Sequence, residues 1–311
     1  MTALRAHHRG GPEVLTVERT PIPVACDGEV LVAVHAAAIT FDELTWEETW
    51  LRDGTDRTPI IPSHEVSGVV SAVAPGVTDF AIGDEVYGLI QFDRDGAAAE
   101  YVTVPVADLA ARPTTVSHVE SAALPLAGLT AWQALVDHAK VQAGERVLVH
   151  GGAGGVGALT VELAGFLGAE VTTTVRSDAH ELMRSLGASH VIDTRTESFD
   201  ARGKSFDVAV DTVGGDTLSR SFTVLRPGGR LVTLSAPPPE GMAEANGVQA
   251  TFFIVVPDRD QLTRLAEYVD LDRLHVAIAG TFTLEQGRAA FESRGHRPRR
   301  PGKTVLVIAD R

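Results

Sequence analysis

The alternation of apolar and polar positions changes character along the chain. Up to about residue 118, short valine-rich runs stand at 14–17, 29–36, 66–73 and 85–89, separated by turn signals such as Pro75-Gly76 and Gly83-Asp84. Such runs predict the strands of a partly open barrel or irregular sheet rather than a layered α/β unit. A helical pattern follows at 119–138, with Pro125 and Gly128 making it locally irregular. From Arg146 onward, apolar runs at 147–150, 170–175, 191–193, 208–211, 230–235 and 251–256 alternate with helical stretches at 157–167, 178–186 and 217–225. These runs do not alternate apolar with polar on a two-residue period, as expected of strands in a parallel sheet with helices on both faces. The tail returns to mixed character, with a helix predicted at 284–292 and a strand at 303–308. It is expected to rejoin the first part, so that the α/β segment is an insertion.

A length of 311 residues exceeds the usual size of one domain, so two are expected: 1–118 with 271–311, and 119–270. Nothing approaches the roughly 18 consecutive apolar residues of a membrane span. The opening MTALRAHHRGG lacks the apolar core of a signal peptide. One cysteine, Cys26, excludes both an intramolecular disulfide and a zinc site made of several cysteines. A cytoplasmic location is expected. The formal charge of −14, from 27 basic and 41 acidic residues, argues against nucleic acid or an anionic membrane surface as partner. The dense basic run at 294–303, with Arg294, Arg297, Arg299, Arg300 and Lys303, reads as a solvated loop, with a local contact to an anion or a partner subunit as the alternative.

The strand at 147–150 runs directly into Gly151-Gly152-Ala153-Gly154-Gly155-Val156-Gly157 and then a helix. Gly152, Gly154 and Gly157 satisfy G-x-G-x-x-G in the strand–turn–helix setting that gives the pattern meaning. The first glycine permits the tight turn, the second lets backbone approach a pyrophosphate, and the third lets helix pack on strand. Free N–H groups and the positive end of the helix dipole then favour phosphate. The following strand ends in Arg176-Ser177, where an NAD-selective site usually carries a carboxylate for the ribose hydroxyls. A guanidinium and a hydroxyl suit a 2′-phosphate, so NADPH is the expected cofactor. Asp178 is placed to cap the next helix instead.

Several further segments follow one another in a specific order and spacing. They are 36–43 (AAAITFDE), 62–68 (PSHEVSG), 96–105 (GAAAEYVTVP), 126–135 (LAGLTAWQAL), 149–157, 211–215 (DTVGG), 225–235 and 301–307. Over nearly the whole chain this set resembles the zinc-independent, quinone oxidoreductase (zeta-crystallin-like) branch of the medium-chain dehydrogenase/reductase superfamily. The resemblance implies an α/β protein with a Rossmann doubly wound parallel sheet inserted in a β-rich, GroES-like, partly open barrel domain. It implies an enzyme passing hydride from NADPH to a small electrophile, foremost a quinone. An enone, alkenal or enoyl-thioester double bond is the alternative acceptor, and a non-catalytic NADPH-binding protein the alternative of another class.

On the same footing, Thr130 matches a residue that faces the nicotinamide, and Val213 and Ser235 lie on loops flanking its ribose. Thr40 and His64 are the candidates to hydrogen-bond a substrate carbonyl, and Thr45, Trp46 and Trp50 to line the pocket. The departures matter as much. Zinc-dependent relatives place cysteine at Thr40, and quinone oxidoreductases commonly place Asn there. Thr45 stands where many carry Tyr, and the tyrosines present are Tyr87, Tyr101 and Tyr268. His64 lacks thiolate partners, so no metal is expected. The resemblance also implies a homodimer joined at sheet edges, with the run at 251–256 as the candidate edge.

Overall fold

The computed structural model describes residues 1–176, 179–295 and 300–309. They fall into two compact units, Met1–Leu129 with Val256–Arg311, and Thr130–Val255. The first opens with an antiparallel pair, β1 (Thr2–Ala6) and β2 (Leu15–Arg19). Then come β3 (Glu29–Ile39), the single-turn helix α1 (Glu47–Trp50), and the small hairpin of β4 (Leu51–Arg52) and β5 (Thr55–Asp56). After these come β6 (Glu65–Val73), β7 (Glu85–Leu89), β8 (Tyr101–Pro105) and β9 (Leu109–Ala111).

The helical pattern at 119–138 is realised in three pieces. Ser117 and Glu120 close a capping box on α2 (His118–Ala122). Pro125 has no N–H to donate, and it begins a new helix, α3 (Pro125–Trp132), where that loss is harmless. From Gln133 to His138 the coil widens to π geometry, with Ala139 N–H bonding Ala134 O at 2.9 Å.

The second unit runs β10 (Arg146–His150), α4 (Gly155–Phe166), β11 (Glu170–Val175), α5 (His180–Ser185), β12 (His190–Asp193) and β13 (Phe206–Asp211). It continues through α6 (Gly215–Ser221), β14 (Leu225–Thr233), α7 (Met242–Asn246) and β15 (Gln249–Phe252). All its strand pairs are parallel, in the order β12-β11-β10-β13-β14-β15, which is a doubly wound sheet. Leu148, Ile192, Phe206, Phe222 and Leu231 fill its core.

Several boundaries differ from expectation. The helix predicted at 217–225 ends at Ser221, and β14 begins at Leu225 rather than 230. Leu225 pairs with Phe206 before the register slips across Pro227-Gly228-Gly229, so pairing starts ahead of residues that read as a turn. The last strand lies at Gln249–Phe252, and residues 253–256 run on without ladder pairing.

The chain then completes the first unit with α8 (Arg259–Asp270), β16 (Ile278–Thr283), α9 (Gly287–Glu292) and β17 (Lys303–Val307). The alternation of the preceding segment does not announce α8. Asp258 caps it by accepting from Gln261 N–H at 2.9 Å, and Leu262, Leu265, Ala266 and Val269 form its buried stripe. The Tyr87 hydroxyl donates to the Leu262 carbonyl at 2.5 Å, tying α8 to β7.

β17 lies between β16 and β3, giving the path β16-β17-β3-β6-β7-β9, with β8 pairing β3 as well. This second neighbour explains why β3 extends to Ile39: its alanine-rich end is paired with both β6 and β17. The basic run is not simply solvated. Arg294 pairs with Asp42, and Lys303 opens β17 as a largely buried cation against the Glu65 carboxylate. Arg297 and Arg299 lie outside the described residues.

Candidate active site

In the second unit, the turn after β10 is shaped by what would collide with a side chain. Gly151 takes the left-handed conformation, at φ +76°, so the tight turn is made one residue before Gly152. A Cβ on Gly152 would meet Thr173 Oγ1 at 2.2 Å, and one on Gly157 the Gly151 carbonyl oxygen at 2.2 Å. Gly154 has more room, 3.3 Å to the nearest atom, and it caps α4 with no side chain over the helix N-terminus. Ala153, Gly155 and Val156 complete a backbone cradle whose first helical N–H groups suit phosphate. The residues present therefore fit a dinucleotide pyrophosphate.

A second loop is held beside this turn. Asp211, fully buried at the end of β13, accepts from Val213 N–H and Gly214 N–H at 3.1 Å. It also accepts from Ser235 Oγ at 3.2 Å and Thr233 Oγ1 at 3.3 Å. One carboxylate thus joins Val213 and Ser235, two of the residues expected to flank the ribose. Thr212 Oγ1 donates to His150 O at 2.8 Å, and Val213 Cγ2 would stand 3.2 Å from a Cβ on Gly151. His150 is enclosed between Thr174 Oγ1 at 3.2 Å and Ser221 Oγ at 3.0 Å, and burial pushes its pKa down to about 4. It therefore supports the turn as a neutral imidazole. Sequence reasoning missed Asp211 and His150 as supports, although both stand inside quoted motifs.

Arg176 is exposed at the carboxyl end of β11, and Ser177 and Asp178 lie outside the described residues. On the neighbouring β12, Asp193 is chelated by Arg195, whose hydrogen bonds hold that carboxyl down to about 2. The nearby carboxylate is therefore already occupied by a guanidinium. Thr130 is buried on α3.

In the first unit a buried carboxylate, Glu43, organises the candidate substrate side. It accepts from His64 Nδ1 at 3.0 Å, Ser63 N–H at 2.9 Å and Thr40 N–H at 3.4 Å. The Nδ1 bond fixes the ring and leaves Nε2, which is buried and has no hydrogen-bond partner among the described residues. A carboxylate that orients an imidazole in this way is common behind metal-bound histidines. Here, among the described residues, no cluster of three His, Cys, Asp or Glu could hold a metal.

Phe92 stands edge-on to both His64 and Trp46, at ring separations of 5.4 and 4.9 Å. Trp46 and Phe92 thus form an aromatic wall beside His64, and Phe92 was missed because its loop is far away in sequence. Trp50 is buried in the core, its indole N–H donating to Leu44 O at 2.9 Å. Thr45 is exposed and donates to Asp42 O at 2.7 Å. The Thr40 hydroxyl accepts from Lys303 Nζ at 3.1 Å. A cavity of about 440 Å³ elsewhere in this unit is lined by Arg5, Arg52, Arg57 and Arg94. Each of those faces a carboxylate, so the lining is charge-balanced and includes none of the candidate residues.

No helix among the described residues is long and apolar enough to cross a membrane. Residues 26–114 match the family described as an alcohol dehydrogenase GroES-like domain, and residues 186–306 that described as a zinc-binding dehydrogenase. A probable mitochondrial zinc-binding oxidoreductase of Arthroderma benhamiae is 31% identical, covering 94% of this chain and 92% of its own. The chloroplastic NADPH-dependent alkenal/one oxidoreductase of Arabidopsis thaliana is 31% identical, over 91% of this chain and 73% of its own. The structure of the quinone oxidoreductase from Coxiella burnetii superposes with a TM-score of 0.90 at 30% identity, covering 99% of both chains.

Proposed function

Because the chain belongs to the zinc-independent, quinone oxidoreductase branch of the medium-chain dehydrogenase/reductase superfamily, we propose that it reduces a small electrophile, foremost a quinone, with NADPH. The observation that carries the reading is the glycine cradle after β10, where side chains are excluded by backbone and by Thr173, beside a loop anchored on Asp211. When bound, the reduced nicotinamide supplies the hydride. Gly152 to Gly157 would hold the pyrophosphate, Arg176 and Ser177 the 2′-phosphate, and Thr130, Val213 and Ser235 the nicotinamide ribose end. The exposed Arg176 and the pairing of Asp193 with Arg195 both support NADPH over NADH.

On the substrate side, the Thr40 hydroxyl and the Nε2 of His64 would bind the carbonyl oxygen, and Trp46 with Phe92 would face a flat ring. Addition of a hydride to a quinone, followed by one proton from water, yields the hydroquinone and oxidised cofactor. No strong side-chain acid is required. Reduction of an activated double bond is the second reading, favoured by the Arabidopsis relative's name; there the hydride goes to the β-carbon and the proton to the α-carbon.

The test is NADPH consumption by purified protein against matched quinones and enones, with NADH as control donor. Quinone turnover preferring NADPH is expected. Activity confined to enones would move the assignment to double-bond reduction, and tight NADPH binding without turnover of any acceptor would mark a binding protein.

A further inference from the structure

Three residues meet where β3 ends. β6 and β17 flank β3 on its two sides, with Ala38 opposite Glu65 and Ile39 opposite Thr304. Glu65, Lys303 and Thr40 therefore stand at one end of the sheet, and the side chains do meet. Lys303 Nζ pairs with Glu65 Oε2 and lies 3.1 Å from Thr40 Oγ1. The other oxygen of Glu65 accepts from Leu126 N–H at 3.0 Å, in the first turn of α3. Glu65 is fully enclosed, and burial pushes its carboxyl pKa up while Lys303 pulls it back.

We propose that Lys303 is a positioning residue, whose ammonium fixes the Thr40 hydroxyl as a hydrogen-bond donor to the substrate carbonyl. The proposal rests on the reading of this chain as a reductase of a carbonyl-conjugated acceptor.

A threonine hydroxyl carries one proton and two lone pairs, whereas an ammonium can only donate. The contact between them has a single direction: Lys303 donates and Thr40 accepts. The hydroxyl proton must then point elsewhere, and among the described residues it has no acceptor. Thr40 is half-buried, so that proton is open to solvent and to a ligand that displaces it. The same contact draws electron density from the O–H bond and makes it a stronger donor. Such a donor gains most when negative charge grows on the substrate oxygen during hydride addition. Thr40 keeps its proton throughout, and the final proton comes from solvent. Glu65 supplies the counter-charge that lets an ammonium stay buried beside a neutral hydroxyl.

The test uses the full chain and keeps the interior neutral by changing the pair together, as Glu65→Gln with Lys303→Met. Its first readout does not need turnover: the infrared carbonyl band of cyclohexenone bound without NADPH. The band is expected to lie at lower frequency in the wild type, and to lose that shift equally in the paired variant and in Thr40→Val. In turnover, the paired variant is expected to lower kcat about tenfold while NADPH affinity stays within about twofold. Adding Thr40→Val to it should cost less than about a further twofold, because both changes remove one interaction. A wild-type band in the paired variant, or losses that multiply with Thr40→Val, would overturn the proposal.

Glu65→Gln with Lys303→Gln keeps an uncharged donor and serves if the methionine variant does not fold. It is expected to show an intermediate shift, and a full wild-type shift would count against the role of the charge. If the wild type turns over no acceptor, the functional reading fails, while the band still reports on Lys303.

Discussion

A methyl group on Gly157 would sit 2.2 Å from the Gly151 carbonyl oxygen, while one on Gly154 finds 3.3 Å. The first obstacle is backbone and cannot swing aside; the second needs only a few tenths of an ångström. Gly157→Ala is therefore expected to destabilise the second unit by about 2 kcal/mol, in the range for overpacking. Gly154→Ala should melt near the wild type yet bind NADPH about tenfold more weakly, since its cost falls on a ligand that approaches the backbone. Thermal melts and fluorescence titration of both variants check the pair, and equal losses of stability would contradict it. These glycines were legible because their spacing encodes a local shape. Glu43 and Phe92 were not, since each acts on His64 from a distant loop. Lys303 was misread for a related reason: within a dense basic run, nothing local marks the one cation that β17 carries inside to Glu65.

At the scale of elements, the parallel strands were plain because burial on both faces leaves continuous apolar runs. Their ends were less plain, because pairing is decided by neighbours. β14 begins before Pro227-Gly228-Gly229 because Phe206 is there to receive Leu225, and β3 runs through three alanines because β17 pairs its far side. The stripe of α8, at spacings of three and four, lay open in the sequence but outside the strand–helix alternation that dominated the reading. The loop after β13 depends on a single residue. Asp211 takes two backbone N–H groups and two hydroxyls, and Asn offers one oxygen in place of two. Asp211→Asn should leave the sheet intact, lower stability by about 1–3 kcal/mol, and loosen the segment carrying Val213 and Gly214. Hydrogen exchange would locate the change: faster exchange at those amides, with β10 unaffected, is the expected pattern.

For the whole molecule, the feature that bears on assembly is the sheet edge at β15. Among the described residues β15 is bonded on one side by β14 and ends the six-stranded path, and none of them pairs with its other side. Just beyond it, in the same unit, Ile254 is 56% exposed, an apolar rim at the place where an edge would otherwise be protected by charge. Gln249 to Phe252 carries no lysine or proline to deter pairing. The net charge of −14 works against association at low ionic strength, so a contact here would have to rest on backbone pairing and apolar burial, and would tighten as salt is added. We therefore propose that two copies join through β15. Light scattering of the purified chain should give twice the chain mass, and Ile254→Lys should shift it towards the monomer with NADPH affinity unchanged, because Ile254 is remote in sequence from the glycine turn and the Asp211 loop. A monomer at every salt concentration would refute the edge contact and leave the exposed rim to another partner.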